Sequence, residues 1–172
     1  MQKLLFERLV LLFQQIITGV SELAQCWVFV ITEYTDYWKV SFDKILERIK
    51  TSKAYPLGHR TPNRKRIVSG DKVIFYQSGE GGRKFIVSAV VLSAVKDSFQ
   101  YVFGYVHFSK IRIWQDPVDI YSILDELSLI KNKRRWQSYF QGGIRKIPRK
   151  DYERIISYRQ LQNSIAEIVG VS

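Results

Sequence analysis

The stretch of sequence that decides the fold runs from Tyr55 to Leu92 and reads YPLGHRTPNRKRIVSGDKVIFYQSGEGGRKFIVSAVVL. Residues 72–77 and 85–92 are rich in β-branched and aromatic side chains, as strands are. Between them, residues 78–82 read SGEGG, and glycine readily takes the positive φ angles that a tight turn needs. The stretch therefore predicts a β-hairpin that follows a basic loop.

The basic residues of the chain are clustered. Residues 48–70 contain seven Lys and Arg and no acidic residue, and residues 131–150 contain eight, again with no acidic residue. Together the two stretches hold more than half of the 27 Lys and Arg of the chain. Clustering of this kind favours a polyanion-binding surface over general solubility through evenly spread lysines.

Composition sets the class of protein and of partner. A chain of 172 residues is most simply one domain with a real hydrophobic core. The net charge of +11 and the pI near 9.8 indicate an acidic partner. Nucleic acid is favoured over a membrane surface or an acidic protein.

The titratable residues predict neither a metal site nor a disulfide. Cys26 is the single cysteine and only His59 and His107 accompany it, so no set of ligands has metal-site spacing, and no metal or cofactor is expected. A lone cysteine is compatible with a reducing cytoplasm, which is the expected location. Glu7 and Arg8 interrupt the apolar N-terminal region, and this argues against a signal peptide or a membrane span.

The first part of the chain predicts a helix, a buried strand and a second helix. Residues 2–17 have apolar side chains at helical spacing, which predicts an N-terminal helix that packs on the domain or, less simply, associates with a second copy. Residues 26–31 form a continuous apolar strand. A polar loop rich in aromatic residues follows, and Ser41 is placed to cap a short helix.

The second part of the chain predicts strands and then short helices. Residues 99–114 form one long strand, or two with a break near Ser109 and Lys110. Asp116 and Pro117 predict the start of a helix over 118–127, and Pro148 predicts the start of another. Residues 161–172 either extend that last helix or begin a linker. The order of elements indicates an α+β domain with a curved or barrel-like antiparallel sheet.

Four segments together resemble the EVE domain, a PUA-like fold related to the YTH domains. They are the apolar strand 27–32 followed by Tyr37 and Trp38, the segment SGDKVIFY at 69–76, NKRRW at 132–136, and IRKIPRKDY at 144–152. They occur in the order of that family and cover residues 26 to about 158. A single piece, such as Gly-Asp before a strand, would be weak evidence.

The resemblance implies a small curved or closed β-barrel of about five to six strands flanked by helices, with the N-terminal helix as an addition. The implied division is an N-terminal amphipathic helix over 1–22, an EVE domain over 23–160, and a C-terminal tail or linker over 161–172. The implied function is a reader of a modified base, methylated or hydroxymethylated cytosine or methyladenine, with DNA slightly favoured over RNA. Such a reader flips the base into an aromatic pocket, where stacking replaces what the duplex loses.

The same resemblance gives the expected site residues. The expected base pocket consists of Tyr34, Tyr37, Trp38, Tyr55 and Trp136. The expected backbone-phosphate contacts are His59, Arg60, Arg64, Lys65, Arg66, Lys133, Arg134, Arg135 and Arg145.

The chain departs from the family pattern at two places. Tyr55 stands where the related domains usually have a tryptophan, so stacking is retained but the type of base is less defined. Glu33 and Asp36 occupy a region where YTH domains have asparagines, and carboxylates there would favour hydrogen-bond donors such as an exocyclic amine. Trp136 is also compatible with packing beneath the Arg and Lys cluster.

Two alternative functions stay open at this point. An RNA-processing module is one, but the Gly-x-Lys-x-x-Glu-x-Arg signature of the related ASCH nucleases is missing, no catalytic set is recognised, and we expect a protein that is not an enzyme. A basic domain that binds RNA or an acidic protein without base selectivity is the other. Domains of this type can precede a modification-dependent restriction motor, so such a motor is a possible partner, and no membrane partner is expected.

Overall fold

The computed structural model describes residues 24–169 except 33, 36–37, 40, 80 and 96–101, and gives only the backbone for 34–35, 38–39, 95, 102 and 166–169. The expected N-terminal helix, at 2–17, and Tyr37 lie outside the described residues. The strands in chain order are β1 (Cys26–Ile31), β2 (Tyr34–Thr35), β3 (Trp38–Lys39), β4 (Ala54–Gly58), β5 (Lys72–Gln77), β6 (Lys84–Val95), β7 (Val102–Asp119) and β8 (Ile144–Ile147). The helices are α1 (Phe42–Ser52), α2 (Ile120–Ile123) and α3 (Arg149–Val169), with 3-10 helices at Leu124–Glu126 and Lys133–Phe140.

Six of the strands form one sheet in the order β4-β7-β6-β5-β1-β8, while β2 and β3 pair with each other. This confirms the expected α+β class with a curved sheet of five to six strands flanked by helices. The expectation of a purely antiparallel sheet is wrong, because β1 runs parallel to β5, with Trp27 opposite Val73 and Phe29 opposite Phe75. Residues 32–71 connect the two strands and include α1, and a crossover of this kind is what a parallel pair requires.

The central strands β1 and β5 are buried on both faces of the sheet. Trp27, Phe29 and Phe75 point to one face, where α1 and β4 cover them, and this layer also contains Ile49 and Leu57. The alternate residues of both strands point to the other face, which is covered by the two 3-10 helices and α3, and their layer includes Val28, Val30, Ile74, Tyr76, Trp136, Phe140 and Ile155. Burial on both faces explains the continuous apolar sequence of β1. Trp27 is fully buried, as expected for a core residue.

Strand β7 is longer than the sequence predicts. It continues through Asp116 and Pro117 to Asp119, so the expected helix start at Asp116 is wrong. Asp119 is the actual cap, accepting a hydrogen bond from the amide of Tyr121 at 2.8 Å. Lys110 has a φ of 50°, in the left-handed region, and the pairing with β6 shifts register on both sides of it. The long strand therefore bends where the sequence indicates a possible break.

The last helix follows the sequence prediction. It begins at Arg149 directly after Pro148, and it continues through Val169, so residues 161–169 extend it. Residues of α3 pack on β7. Trp114 of β7 is buried, and its Nε1 donates a hydrogen bond to Ser88 Oγ at 3.3 Å. The guanidinium of Arg159, on α3, lies 5.6 Å from the centroid of the Trp114 ring. Trp114 therefore packs between the sheet and α3. Among the described helices, none is both long and apolar enough to cross a membrane.

A buried carboxylate joins the start of β1 to the start of β5. Asp71 is fully buried, and its two oxygens accept hydrogen bonds from the Gln25 amide at 2.9 Å, Trp27 Nε1 at 2.7 Å and the Val68 amide at 3.0 Å. The Lys72 amide in turn donates to the Gln25 carbonyl at 2.8 Å. Three donors satisfy the carboxylate without a cation, and a buried acidic group requires such satisfaction.

We expect Asp71→Asn to destabilise the protein by about 2–4 kcal/mol. An asparagine presents one oxygen and one NH2 group, so in either orientation at least one of the three N–H donors faces another donor and is left unsatisfied inside the core. The measurement is the free energy of unfolding in urea. Asp43→Asn, at an exposed position in the first turn of α1, is the matched control and should cost only a few tenths of a kcal/mol. Equal urea midpoints for the two variants would contradict this role of Asp71.

Buried tyrosines should make the fold sensitive to high pH. Burial raises the pKa of Tyr55 and of Tyr152 to about 12, compared with 10.0 for an unperturbed tyrosine. Between pH 10 and 12 the unfolded chain releases these protons while the folded chain holds them, so stability falls as the pH rises, by up to about 1.4 kcal/mol per pH unit for each tyrosine. We expect Tyr55→Phe and Tyr152→Phe to flatten this fall in urea titrations between pH 9 and 11. If both variants keep the slope of the wild type, the assignment to these two tyrosines is refuted.

Candidate nucleic-acid interface

The parallel pairing of β1 and β5 brings several chain segments to one edge of the sheet. Both strands end there, at Ile31 and Gln77, and β8 begins there because it runs antiparallel to β1 with Ile144 opposite Phe29. We refer to this edge, marked by Ile31, Gln77 and Ile144, as the C-terminal edge. The Val30 amide donates to the Gly143 carbonyl at 2.8 Å, so the chain is already fixed one residue before β8 begins.

The basic loop of residues 59–66 is attached to this edge by two contacts. Asn63 Nδ2 donates to the Ile144 carbonyl at 2.8 Å, and Pro62 lies against the backbone of Gly143. A Cβ atom at Gly143 would come within 2.6 Å of Pro62 Cδ, so the close approach requires glycine. Asn63 has a φ of 60°, a value that asparagine tolerates better than most residues. The two basic stretches of the sequence therefore meet in space at the start of β8.

Most of the residues expected to contact phosphates are exposed. In the basic loop these are His59, Arg60, Lys65 and Arg66, and in the 3-10 helix they are Arg134 and Arg135. Exposed cations on two converging segments can contact successive phosphates of one strand.

Arg64 differs from its neighbours in the basic loop. Its guanidinium lies 4.7 Å from the centroid of the Phe103 ring, and its Nη1 donates to the Thr61 carbonyl at 3.0 Å. The His59 ring meets the same Phe103 ring edge to face, with the centroids 6.0 Å apart. Phe103, on β7, thus contacts two basic side chains of the loop.

The second basic segment is positioned by buried polar contacts. Lys133 Nζ donates to the carbonyls of Leu124 and Leu127, at 2.6 and 2.9 Å, so in this conformation it satisfies the end of the preceding 3-10 helix. Asp151 is buried and accepts from the amides of Ser128 and Leu129, at 2.9 and 2.7 Å, which fixes the segment just before the basic residues.

Arg145 projects from β8 beside the same segment. Its guanidinium lies 5.7 Å from the centroid of the Tyr139 ring, and the residue is half-buried. The Tyr139 hydroxyl accepts hydrogen bonds from the amides of Lys131 and Asn132, at 3.2 and 3.4 Å. Tyr139 therefore links Arg145 to the turn that precedes the basic 3-10 helix.

Tyr55 lies on the α1 face of the sheet, close to the C-terminal edge. Its ring packs edge to face on Phe29 and Phe75, with centroid distances of 5.7 and 5.8 Å, and part of the residue stays exposed. Burial raises the pKa of its hydroxyl to about 12, and this hydroxyl can donate a hydrogen bond. Tyr55 stands on β4, which leads directly into the basic loop.

The structure does not bring Tyr55 and Trp136 together. Trp136 lies on the opposite face, with the 3-10 helices, and contacts Tyr121 and Phe140 at centroid distances of 5.5 and 6.3 Å. The backbones of Tyr34 and Trp38 belong to the β2–β3 hairpin, which begins two residues after Thr32 at the C-terminal edge. The expected pocket residues are thus divided between two faces of the sheet.

Sequence reasoning missed the residues that join the two basic stretches, namely Pro62, Asn63, Phe103 and Gly143. The pair of glycines at 142–143 was an available signal, because both have positive φ angles, 67° and 73°. The contact with Pro62 could not be foreseen, since it joins positions 81 residues apart. In the described part of the chain, no group of three His, Cys, Asp or Glu side chains is placed to hold a metal ion. Burial raises the pKa of the Cys26 thiol, which makes it a poor nucleophile.

No known family model matches the chain. A UPF0310 protein of Pyrococcus abyssi is 30% identical over 138 residues, a match that covers 71% of this chain and 92% of the relative. The solved structures that are similar in fold include two complexes with nucleic acid. Human THYN1 in complex with DNA that contains 5-methylcytosine has a TM-score of 0.54 at 10% identity, covering 79% of this chain and 98% of that protein. The YTH domain of mmi1, in a complex with RNA, has a TM-score of 0.50 at 10% identity, covering 85% and 87%. The fold is PUA-like.

We expect Gly143→Ala to be clearly more damaging than Gly142→Ala. Both substitutions place an alanine at a positive φ, but a Cβ at Gly142 has no neighbour within 4 Å, whereas a Cβ at Gly143 collides with Pro62. The common backbone strain cancels in the comparison, and the collision should add about 1–3 kcal/mol to the loss of folding free energy. Thermal and urea unfolding of the two variants measure the difference.

A double-mutant cycle supplies the control. Pro62→Ala removes both atoms that the new Cβ meets, so it should restore much of the stability lost in Gly143→Ala. If Pro62→Ala costs the same in the wild type and in Gly143→Ala, the loop is not held against β8 in the way described.

Proposed function

The chain belongs to the UPF0310 family, and from its PUA-like fold and its charge distribution we propose that it is a nucleic-acid-binding reader of a modified base, of the EVE type. The modified base is methylated or hydroxymethylated cytosine or methyladenine, with DNA slightly favoured. The base leaves its strand and enters an aromatic site at the C-terminal edge, while the basic segments hold the phosphates. The protein catalyses no reaction.

The observation that carries this proposal is the meeting of the two basic stretches. Pro62 and Asn63 of the first contact Gly143 and Ile144 of the second, and both stretches carry exposed cations. A protein that gained only solubility from its charge would have no need for this arrangement. Phosphate contacts of this kind supply affinity and orientation, but they do not distinguish bases.

Base recognition requires a second component, and the α1 face supplies it. Tyr55 is a partly exposed residue of β4, the strand that leads into the basic loop, and the β2–β3 hairpin with Trp38 starts from the same edge. A flipped base loses stacking worth a few kcal/mol, which aromatic rings replace, and a methyl group fills space that the unmodified base leaves empty. We therefore assign the modified base to the neighbourhood of Trp38 and Tyr55, and not to Trp136.

The structural neighbours support the same class of ligand. Human THYN1 is in a complex with 5-methylcytosine-containing DNA, and the YTH domain of mmi1 is in a complex with RNA. At about 10% identity these two proteins show that the fold is shared. The type of base is therefore proposed for this chain and is not taken from them. A restriction motor as downstream partner stays a prediction.

We expect substitutions at Trp38 and at the exposed cations to have different effects. Trp38→Ala should bring the ratio of affinities for modified and unmodified strands close to one, because stacking on the base is lost. Arg60→Ala and Arg134→Ala should weaken both strands equally and each reduce the slope of log affinity against log salt by about one. The measurement is fluorescence anisotropy with paired strands, in DNA and RNA, over a series of salt concentrations.

Lys44→Ala is the control, because Lys44 is exposed on α1 and outside both basic stretches. It should leave the affinity ratio and the salt slope nearly unchanged. A uniform effect of Trp38→Ala, Arg60→Ala and Arg134→Ala would show that base recognition and phosphate binding are not separate. That result would favour a basic domain without base selectivity.

A further inference from the structure

A surface groove lies on the face of the sheet opposite Tyr55, at the C-terminal edge. Its volume is about 620 Å³, within the range of about 300–1,000 Å³ that is usual for small-ligand sites. One wall is the turn between β5 and β6, and the other is the 3-10 helix of residues 133–140 with the turn that follows it. The residues that line the groove include Tyr76, Arg83, Trp136, Gln137, Phe140 and Gly142.

The floor of the groove is aromatic and rigid. Tyr76 stacks on Phe140 with the centroids 4.2 Å apart and the planes 23° apart, and Phe140 meets Trp136 edge to face. All three side chains are buried, so only their edges reach the groove. Burial also raises the pKa of the Tyr76 hydroxyl. A floor of uncharged ring edges suits edge-to-face contact with a planar ring.

The walls of the groove carry polar groups that suit the rest of a nucleotide. Arg83 Nη1 donates to the Tyr121 hydroxyl at 3.1 Å, and the Tyr121 ring in turn contacts Trp136, so the guanidinium is held at the rim. Gln137 is exposed on the opposite wall, and its amide offers both a donor and an acceptor to the edge of a base. None of the described lining residues is acidic.

The groove lies next to the point where the basic loop meets β8. Gly142 lines the groove and its neighbour Gly143 contacts Pro62, so the two surfaces are one residue apart, about 3.8 Å along the chain. A Cβ at Gly142 would meet no atom within 4 Å, which shows that the backbone faces open space here. A strand held by the basic loop can therefore continue into the groove.

We propose that this groove is a second nucleotide subsite, which binds a nucleotide flanking the modified base in the same strand. The flanking base lies against the floor of Tyr76, Phe140 and Trp136, and Arg83 binds its phosphate. This inference rests on the proposed function for the presence of a modified base nearby. The groove itself does not select that modification, and it contributes affinity to modified and unmodified strands alike.

The test uses Arg83→Ala and Gln137→Glu, two substitutions at side chains outside the core. The probes are a single-stranded DNA with one central 5-methylcytosine and the same strand without the methyl group. Arg83→Ala removes the guanidinium that would bind the phosphate. Gln137→Glu places a negative charge in the groove while the shape of the side chain stays nearly constant. We expect each to weaken binding of both probes by about fivefold at equal salt, with the ratio between the probes unchanged.

Arg112→Ala and Gln115→Glu are the matched controls, since both residues are exposed on β7, outside the groove, and the changes in charge are identical. They correct for the general effect of charge, and thermal unfolding checks that all four variants fold. If the groove variants bind both probes as the control variants do, the groove does not bind the strand.

Two further outcomes separate this inference from the proposed function. If the wild type does not distinguish the two probes, yet the groove variants still bind more weakly than the controls, modified-base reading fails and the nucleotide subsite stands. If the groove variants abolish the distinction between the probes, the groove is itself the base pocket, and its assignment to a flanking nucleotide is wrong.

Discussion

The structure depends on the parallel pairing of β1 with β5, which the buried carboxylate of Asp71 fixes. Asp71 accepts hydrogen bonds from Gln25 and Trp27 at one strand and from Val68 before the other, so the two strands start side by side. Parallel strands that start together also end together. The turn after β5, the β2–β3 hairpin after β1 and the start of β8 all lie at that shared end, and the basic loop is attached there through Asn63 and Ile144. A substitution at Asp71 would therefore disturb the nucleic-acid interface, although Asp71 does not contact that interface.

Buried contacts also fix the position of the second basic segment. Asp151 fixes residues 128–129 and Lys133 satisfies two carbonyls of the preceding turn, so the helix that carries Arg134 and Arg135 is held firmly against the sheet. Cations on a rigid support lose less conformational freedom on binding than cations on a mobile loop. The same 3-10 helix, residues 133–140, also forms one wall of the groove.

Much of the fold could be predicted from local sequence, because strands and turns leave local signatures. The continuous apolar run of β1, the hairpin around residues 78–82 and the helix after Pro148 were all recognisable. The helix expected to start at Asp116 begins later, at Ile120, since β7 keeps its pairing with β6 through Asp119, and pairing of distant strands overrides a local capping signal. Nor could the sequence reveal that Tyr55 and Trp136 face opposite ways, because this depends on which side of the sheet each element covers. The contact of Pro62 with Gly143 joins distant positions for the same reason.

The most direct test is the affinity of the unaltered protein for strands that differ only in one modified base. Competition titrations would compare 5-methylcytosine, 5-hydroxymethylcytosine and N6-methyladenine with their unmodified counterparts, in DNA and RNA, at low and high salt. We predict that one modified strand binds more tightly than its counterpart by a factor that is the same at both salt concentrations, because the phosphate contacts are common to the pair. Equal affinities for every pair, with only a shared dependence on salt, would contradict modified-base reading by this protein.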